Sequence, residues 1–299
     1  MNNDNDFRSG FVSIIGRPNV GKSTLMNALL GEKVAIVSDK PQTTRGKIRG
    51  ILTRDTFQIV FVDTPGIHAP RHKLGEHMVR AARSSIGDAD VVLHMVEPTQ
   101  KIHPTDQEIA QGLQHADRRP LLVINKVDTI QRDEVLGIIQ AYSLAGYEEH
   151  VPISAATGDG LELLLELVRG RLPHGPKYFQ EDIVTDQPER HIAAEIIREK
   201  LLHLLDDEIP HGIAVEITSF RPREGKALTD IEANIVCEKN SHKPIIIGKS
   251  GSVLKEVGKR ARADIERMVG QQVFLKLFVK VRDWRDSDTF LRSYGFRDN

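Results

Sequence analysis

Short apolar runs alternate with amphipathic stretches along the first 170 or so residues. Phe11-Val12-Ser13-Ile14-Ile15 reads as a buried strand, and similar runs recur at 48–53, 57–62, 91–96 and 121–125. Between them, helical spacing of apolar positions appears at 23–30, closed by Gly31, and at 74–87, 105–116, 132–145 and 160–171. Strands alternating with helices predict an α/β domain, a mostly parallel sheet with helices on both faces. It is assigned residues 8–175. A Pro-rich, polar stretch between Pro173 and Pro188 breaks the pattern, and 176–189 reads as a linker. Beyond it the order changes. An amphipathic helix at 191–205 precedes strand-like segments at 212–219 and 228–238, a basic helix at 252–269 and a strand at 272–282. Ile245-Ile246-Ile247 is ambiguous between strand and helix. These elements make an α+β unit, 190–299, that includes a C-terminal tail. No internal repeat or low-complexity tract is present.

At 299 residues, with 39% hydrophobic and 28% charged side chains, the chain suits two soluble domains. Its single cysteine, Cys237, excludes a disulfide framework and fits a reducing compartment. Met1 to Asp6 has neither the basic region nor the apolar core of a signal peptide. No apolar run reaches the ~18 residues of a membrane span. The expectation is a cytoplasmic protein. The net charge of −1 hides an asymmetry. Ser241 to Arg285 holds 11 basic and 4 acidic residues, a net +7, which leaves about −8 elsewhere. A basic block on an acidic chain suggests a surface for a polyanion, although a solvated helix face has the same composition.

Gly16-Arg17-Pro18-Asn19-Val20-Gly21-Lys22-Ser23 fits G-x-x-x-x-G-K-[ST], a loop whose amides wrap phosphates at a helix start. Lys22 would supply charge to the β and γ phosphates, and the Ser23 hydroxyl a ligand for Mg²⁺. Asp63, at the end of the run Ile59–Val62, would reach the same ion, with Thr64, Pro65 and Ile67 completing its turn. The Gly66 N–H is placed to sense the γ phosphate. Thr43 and Thr44 lie in a polar stretch where one hydroxyl can complete Mg²⁺ coordination while the γ phosphate is bound. Thr44 is preferred, without a decisive argument. Asn125-Lys126-Val127-Asp128 follows another apolar run. Its amide and carboxylate suit the edge of guanine, which offers Asp128 donors that adenine lacks, while Lys126 can lay its stem along the base. Ser154, Ala155 and Ala156 follow Val151-Pro152-Ile153 and resemble the fifth motif of GTPases, whose backbone contacts the base. Together the motifs specify GTP.

Gly248-Lys249-Ser250-Gly251 matches the G-x-x-G loop of KH domains, which clamps a single-stranded nucleic-acid backbone. Alone the pattern is usually a turn. The basic block, Lys255 on the next helix and the order αββααβ give it weight. Ile246, Ile247, Val253 and Leu254 are candidates for the groove, and equally for the core.

With both halves read, the chain resembles the Era family of bacterial ribosome-assembly GTPases from Gly10 to about Phe296. The resemblance rests on the motifs at 16–23, 41–45, 63–66, 125–128 and 154–158 and on Ala194-Glu195-Ile196-Ile197-Arg198-Glu199-Lys200-Leu201. It implies an α/β P-loop GTPase domain followed by a type II KH domain. The implied activity is slow, Mg²⁺-dependent GTP hydrolysis coupled to binding the 3′ end of 16S ribosomal RNA during assembly of the 30S subunit. It also implies peripheral association with the inner membrane, and a potassium ion bound through Asn19. Ile67 stands where Ras-like GTPases carry a catalytic glutamine. This keeps open an alternative, a nucleotide-gated RNA-binding scaffold in which hydrolysis is incidental. A tRNA-modification GTPase fits less well, because no second enzyme domain is evident.

Overall fold

The computed structural model describes residues 6–40, 43–67, 73–115, 119–205 and 212–285. Pro41, Gln42 and the tail 286–299 of the sequence reading lie outside the described residues. The chain divides into two units, the first comprising Met1–Ala35, Thr44–Ala69 and Met78–Asp186, the second Ile36–Thr43, Pro70–His77 and Gln187–Asn299.

In the first unit the apolar runs become strands because both faces of the sheet are covered. The strands are β1 (Arg8–Ile15), β2 (Ile48–Arg54), β3 (Phe57–Asp63), β4 (Val91–Val96), β5 (Leu121–Ile124) and β6 (His150–Pro152). Their order is β2-β3-β1-β4-β5-β6. All neighbours are parallel except β2, which runs antiparallel to β3. Alternate side chains serve opposite faces. Val12, Ile14, Phe61 and Leu93 join one apolar cluster, while Ile15 and Val92 join another. Helices α1 (Lys22–Leu30), α2 (Lys73–Gly87), α3 (Pro104–His115) and α4 (Arg132–Leu144) connect strands, and α5 (Leu161–Arg171) follows β6. At three residues, β6 is too short for its periodicity to show in the sequence.

The division falls at Asp186, inside the stretch read as linker. Residues 178–186 lie along the edge of the first unit's sheet. Ile51 N–H donates to Val184 O at 2.8 Å, and Gln58 Oε1 accepts from the N–H groups of Tyr178 and Phe179 at 2.7 and 3.0 Å. The segment thereby covers the otherwise exposed edge strand β2.

The second unit carries α6 (Glu189–Leu204), β7 (Ile213–Pro222), β8 (Leu228–Cys237), α7 (His242–Ile247), α8 (Ser252–Val269) and β9 (Gln272–Val281). The run Ile245–Ile247 is helical. The sheet order is β7-β8-β9, with β7 antiparallel and β9 parallel to β8. Ile197, Leu201, Ile231, Ile235, Val257 and Ile265 are fully or almost fully buried between the sheet and its helices. Ile246 is also core, and Val253 and Leu254 pack against it half-buried. Trp284 is buried with its indole N–H on Gly212 O at 3.2 Å.

One buried group in the first unit ties stability to pH. His94 on β4 is fully buried, its Nδ1 hydrogen-bonded with the Tyr147 hydroxyl. Burial pulls its pKa below the ordinary 6.5 despite the neighbouring Asp106. The folded chain therefore refuses a proton that the unfolded chain accepts. Stability is unaffected above about pH 6.5 and declines as pH falls through that value towards the lower folded pKa. The stability difference between the parent and His94→Gln should shrink from pH 7 to about pH 5. Urea titrations followed by circular dichroism measure it, since Trp284 fluorescence reports the other unit. A difference that stays constant with pH would refute this account.

Candidate nucleotide site and the glycine loop of the second unit

The candidate nucleotide residues gather at the C-terminal ends of β1, β3, β5 and β6, the edge where open α/β sheets bind ligands. The loop 16–21 wraps between β1 and α1. Gly21 adopts φ +102°, and a Cβ there would lie 2.3 Å from Asn125 Nδ2, so the backbone turn and the close approach both demand glycine. Lys22 opens α1 almost buried, its ammonium donating to Gly16 O at 3.2 Å and Arg17 O at 2.7 Å. Burial pulls its pKa down to about 8, against the upward pull of Asp63.

Asp63 is fully buried, and burial raises its pKa despite the adjacent Lys22 ammonium. Its Oδ2 accepts from the hydroxyls of Ser23 at 2.6 Å and Thr44 at 3.3 Å, and those two hydroxyls are 2.9 Å apart. Its Oδ1 is buried without a hydrogen-bond partner. A compact set of hard oxygens with an unused carboxylate lone pair fits Mg²⁺, which prefers one or two protein oxygens and completes its octahedron with water and phosphate. The geometry separates the two threonines. Thr44 lies in this set, whereas the Thr43 hydroxyl donates to Lys40 O at 2.6 Å. The Thr64 hydroxyl donates to Ile14 O at 2.8 Å, bracing the turn Asp63–Gly66. A Cβ on Gly66 would meet the backbone of Pro18 at 2.6 Å. Ile67 donates its N–H to Gly16 O at 3.2 Å and packs its side chain against the apolar cluster of Ile15 and Val92.

The base-side loop is tied to the phosphate loop. Asn125 is almost completely buried. Its Nδ2 donates to Val20 O at 2.8 Å and its Oδ1 accepts from Ala155 N–H at 2.9 Å. One side chain thus joins the loops 16–21, 125–128 and 154–156, with one amide proton left for a base. Lys126 and Asn19 both adopt left-handed backbone, at φ 64° and 65°, and the Lys126 ammonium donates to Asn19 O at 2.9 Å. Asp128 stands exposed in the 3-10 turn Val127–Thr129. Ser154 is buried and turns its loop by accepting from Thr157 N–H at 3.2 Å, while Ala156 is exposed.

The Arg17 side chain is committed elsewhere. Its guanidinium is held by Glu97 and Asp106, so what it can offer a phosphate is its backbone N–H. No motif spacing in the sequence singled out either carboxylate.

In the second unit Gly248, Ser250 and Gly251 have positive φ, at 76°, 52° and 79°, a kinked loop that leads directly into α8. Lys249, Ser250 and Lys255 are exposed. Much of the remaining basic block is internally neutralised, since Arg260, Arg262 and Arg267 pair with Glu256, Glu266 and Asp264 of the same helix.

Comparison with known proteins agrees with both halves. Residues 11–126 match the family described as 50S ribosome-binding GTPase, and residues 208–285 match the KH domain. The chain is 53% identical over 294 residues to the GTPase Era of Alkaliphilus metalliredigens, covering 97% of this chain and 99% of the relative. It is 54% identical over 295 residues to the GTPase Era of Geobacter metallireducens, covering 98% and 99%. Among solved structures, Era in complex with MgGDPNP and nucleotides 1506–1542 of 16S ribosomal RNA gives a TM-score of 0.94 at 42% identity, covering 97% of this chain and 99% of that one. A variant of Aquifex aeolicus Era bound to GDP and AlF4⁻ gives 0.93 at 41% identity with the same coverage. Matched along nearly its whole length by these relatives, the chain belongs to the Era family of GTPases.

Proposed function

We propose that this GTPase binds GTP with Mg²⁺ in the pocket of the first unit and, in that state, grips the 3′ end of 16S ribosomal RNA with its KH unit during 30S subunit assembly. The observation that carries the nucleotide half is the Asn125 clamp. It brings the phosphate loop, the Asp128 turn and the 154–156 loop to one place. Ser23, Thr44 and Asp63 would hold Mg²⁺, which supplies positive charge against the β and γ phosphates. Lys22, the loop amides and the start of α1 add fixed charge and dipoles where the transferring phosphoryl group carries negative charge. Asn19 is proposed to hold a potassium ion for the same purpose. The RNA half rests on the Gly248–Gly251 loop with Lys249 and Lys255, and on the 16S RNA bound by the solved Era complex. Peripheral association with the inner membrane is the part of the reading that family resemblance alone supports. No helix among the described residues is long and apolar enough to cross a membrane.

A second reading is favoured by Ile67. Its apolar side chain packs half-buried against the core and has no polar group to orient an attacking water. In that reading, nucleotide occupancy gates RNA binding and hydrolysis is incidental. Single-turnover hydrolysis with and without RNA separates the two: a rate unchanged by RNA favours the gate.

Asp128→Asn should weaken GTP binding by roughly 10- to 100-fold and shift preference towards xanthosine nucleotides, whose C2 group reverses the donor pattern. Unchanged GTP affinity in calorimetry would remove Asp128 from base recognition. Hydrolysis should run faster in potassium than in sodium at matched ionic strength, and equal rates would take Asn19 out of the charge-stabilising set. Gly251→Asp places a carboxylate where an RNA backbone would approach. A Cβ there meets nothing within 4 Å, and Asp tolerates left-handed backbone, so the fold should survive. RNA affinity in filter binding should fall at least about tenfold while GTP affinity holds, and binding by the parent should weaken as salt rises. Tight RNA binding by the variant would overturn the KH reading of this loop.

A further inference from the structure

We infer that Glu97 and Asp106 are positioning residues for the nucleotide, forming a charged strut that locks the phosphate loop to the base-reading loop. The inference rests on the GTP-site reading above and concerns how that site is held together.

Sheet order makes the strut feasible. The phosphate loop follows β1 and the base-reading loop follows β5, and β4 lies between these two strands. The residue just beyond β4 is therefore placed to reach both loops at once, and that residue is Glu97. Its carboxylate spans the gap: Oε2 accepts from the Arg17 guanidinium at 3.3 Å and Oε1 accepts from the Lys126 ammonium. Arg17 is fixed from its other side by Asp106, in the first turn of α3, whose Oδ2 accepts from Nε at 2.9 Å. Lys126 closes the circuit by donating to Asn19 O at 2.9 Å, two residues along the loop from Arg17. The contacts therefore form a ring through Arg17, Glu97, Lys126 and Asn19, anchored at Asp106.

Burial distinguishes the Arg17–Asp106 end of this ring from ordinary surface pairs, which contribute little because water screens them, whereas the Glu97–Lys126 contact is more exposed, at 26% and 39%. The Asp106 side chain is 1% exposed and that of Arg17 is 15% exposed. Leaving so deeply buried a carboxylate without its partner is costly, so the 2.9 Å contact binds Arg17 to that position and the loop backbone with it. On the base side, Lys126 sits in left-handed backbone, and the contact to Glu97 helps hold it there. Neither carboxylate belongs to the oxygen set proposed for Mg²⁺. Their effect should therefore fall on how firmly nucleotide is held, and equally for GDP and GTP, rather than on the chemical step.

The test uses the full-length protein and GDP carrying a fluorescent group on its ribose. Glu97→Ala should speed GDP release by about tenfold and raise the KM for GTP comparably, with kcat within about twofold of the parent. The side chain of Glu97 is 26% exposed, so the variant should fold, and the melting temperature of the nucleotide-free protein checks this. Asp106→Asn, isosteric at the buried anchor, should speed release in the same direction. Lys126→Met should also speed it, and Glu97→Ala combined with Lys126→Met should release GDP more slowly than the product of the two single effects, because the residues act through one contact. GDP release unchanged in Glu97→Ala, multiplicative single effects, or a fall in kcat without a rise in KM would each overturn the strut. Failure of the parent itself to bind labelled GDP would instead refute the reading of the site.

Discussion

The nucleotide pocket is built around a single buried amide. Asn125 donates to the phosphate loop and accepts from the loop after β6, so three segments far apart in the chain share one side chain. A buried amide with both ends satisfied is stable in place, and a replacement that lost either bond would leave a backbone group unpaired away from water. Gly21 packs directly on this amide, which is why a side chain is excluded at that turn. The Lys126–Asn19 bond and the Glu97 bridge repeat the same linkage further out, with charge in place of a neutral amide.

Beside this clamp the pocket stores opposite charges under strain of burial. Lys22 and Asp63 are both removed from water, and each is shifted towards its neutral form by that burial while the other resists. The arrangement is costly for a folded chain and useful for a phosphate site. In the proposed reading, an anion bearing Mg²⁺ would give the carboxylate a metal and the ammonium phosphate oxygens, each offsetting the cost of that burial. Ile67 marks the limit of this machinery. Its side chain packs half-buried against the cluster of Ile15 and Val92 and, being apolar, offers no hydrogen bond to a water molecule at that position.

The second unit offers a different kind of anion surface. Its loop at 248–251 kinks through positive φ at Gly248, Ser250 and Gly251, and Lys249 and Lys255 are exposed while the arginines of α8 are paired along their own helix. The +7 of the sequence therefore overstates the charge available to a partner. Among the described residues, the basic block's exposed lysines outside ion pairs are Lys243, Lys249, Lys255, Lys259 and Lys280, and of these Lys249 and Lys255 lie at the glycine loop and the start of α8.

The sequence by itself determined the elements and the local chemistry. Strand ends, the phosphate loop, Asp63, Asn125 and Asp128 were legible because each is a short motif attached to an apolar run. A run of that length between helices has one way to be buried on both faces. The same locality made the αββααβ order and the glycine loop readable. Tertiary structure decided everything that depends on which strands are neighbours. Glu97 and Asp106 meet Arg17 across separations of 80 and 89 residues, and only the placement of β4 between β1 and β5 brings them there. The placement of the Thr44 hydroxyl beside Ser23 and Asp63 and of the Thr43 hydroxyl on Lys40 O, the bracing by Asn125 and the covering of β2 by residues 178–186 likewise depend on packing. In each case a polar group took the partner that the folded sheet put within reach, and a linear pattern carries no record of that distance.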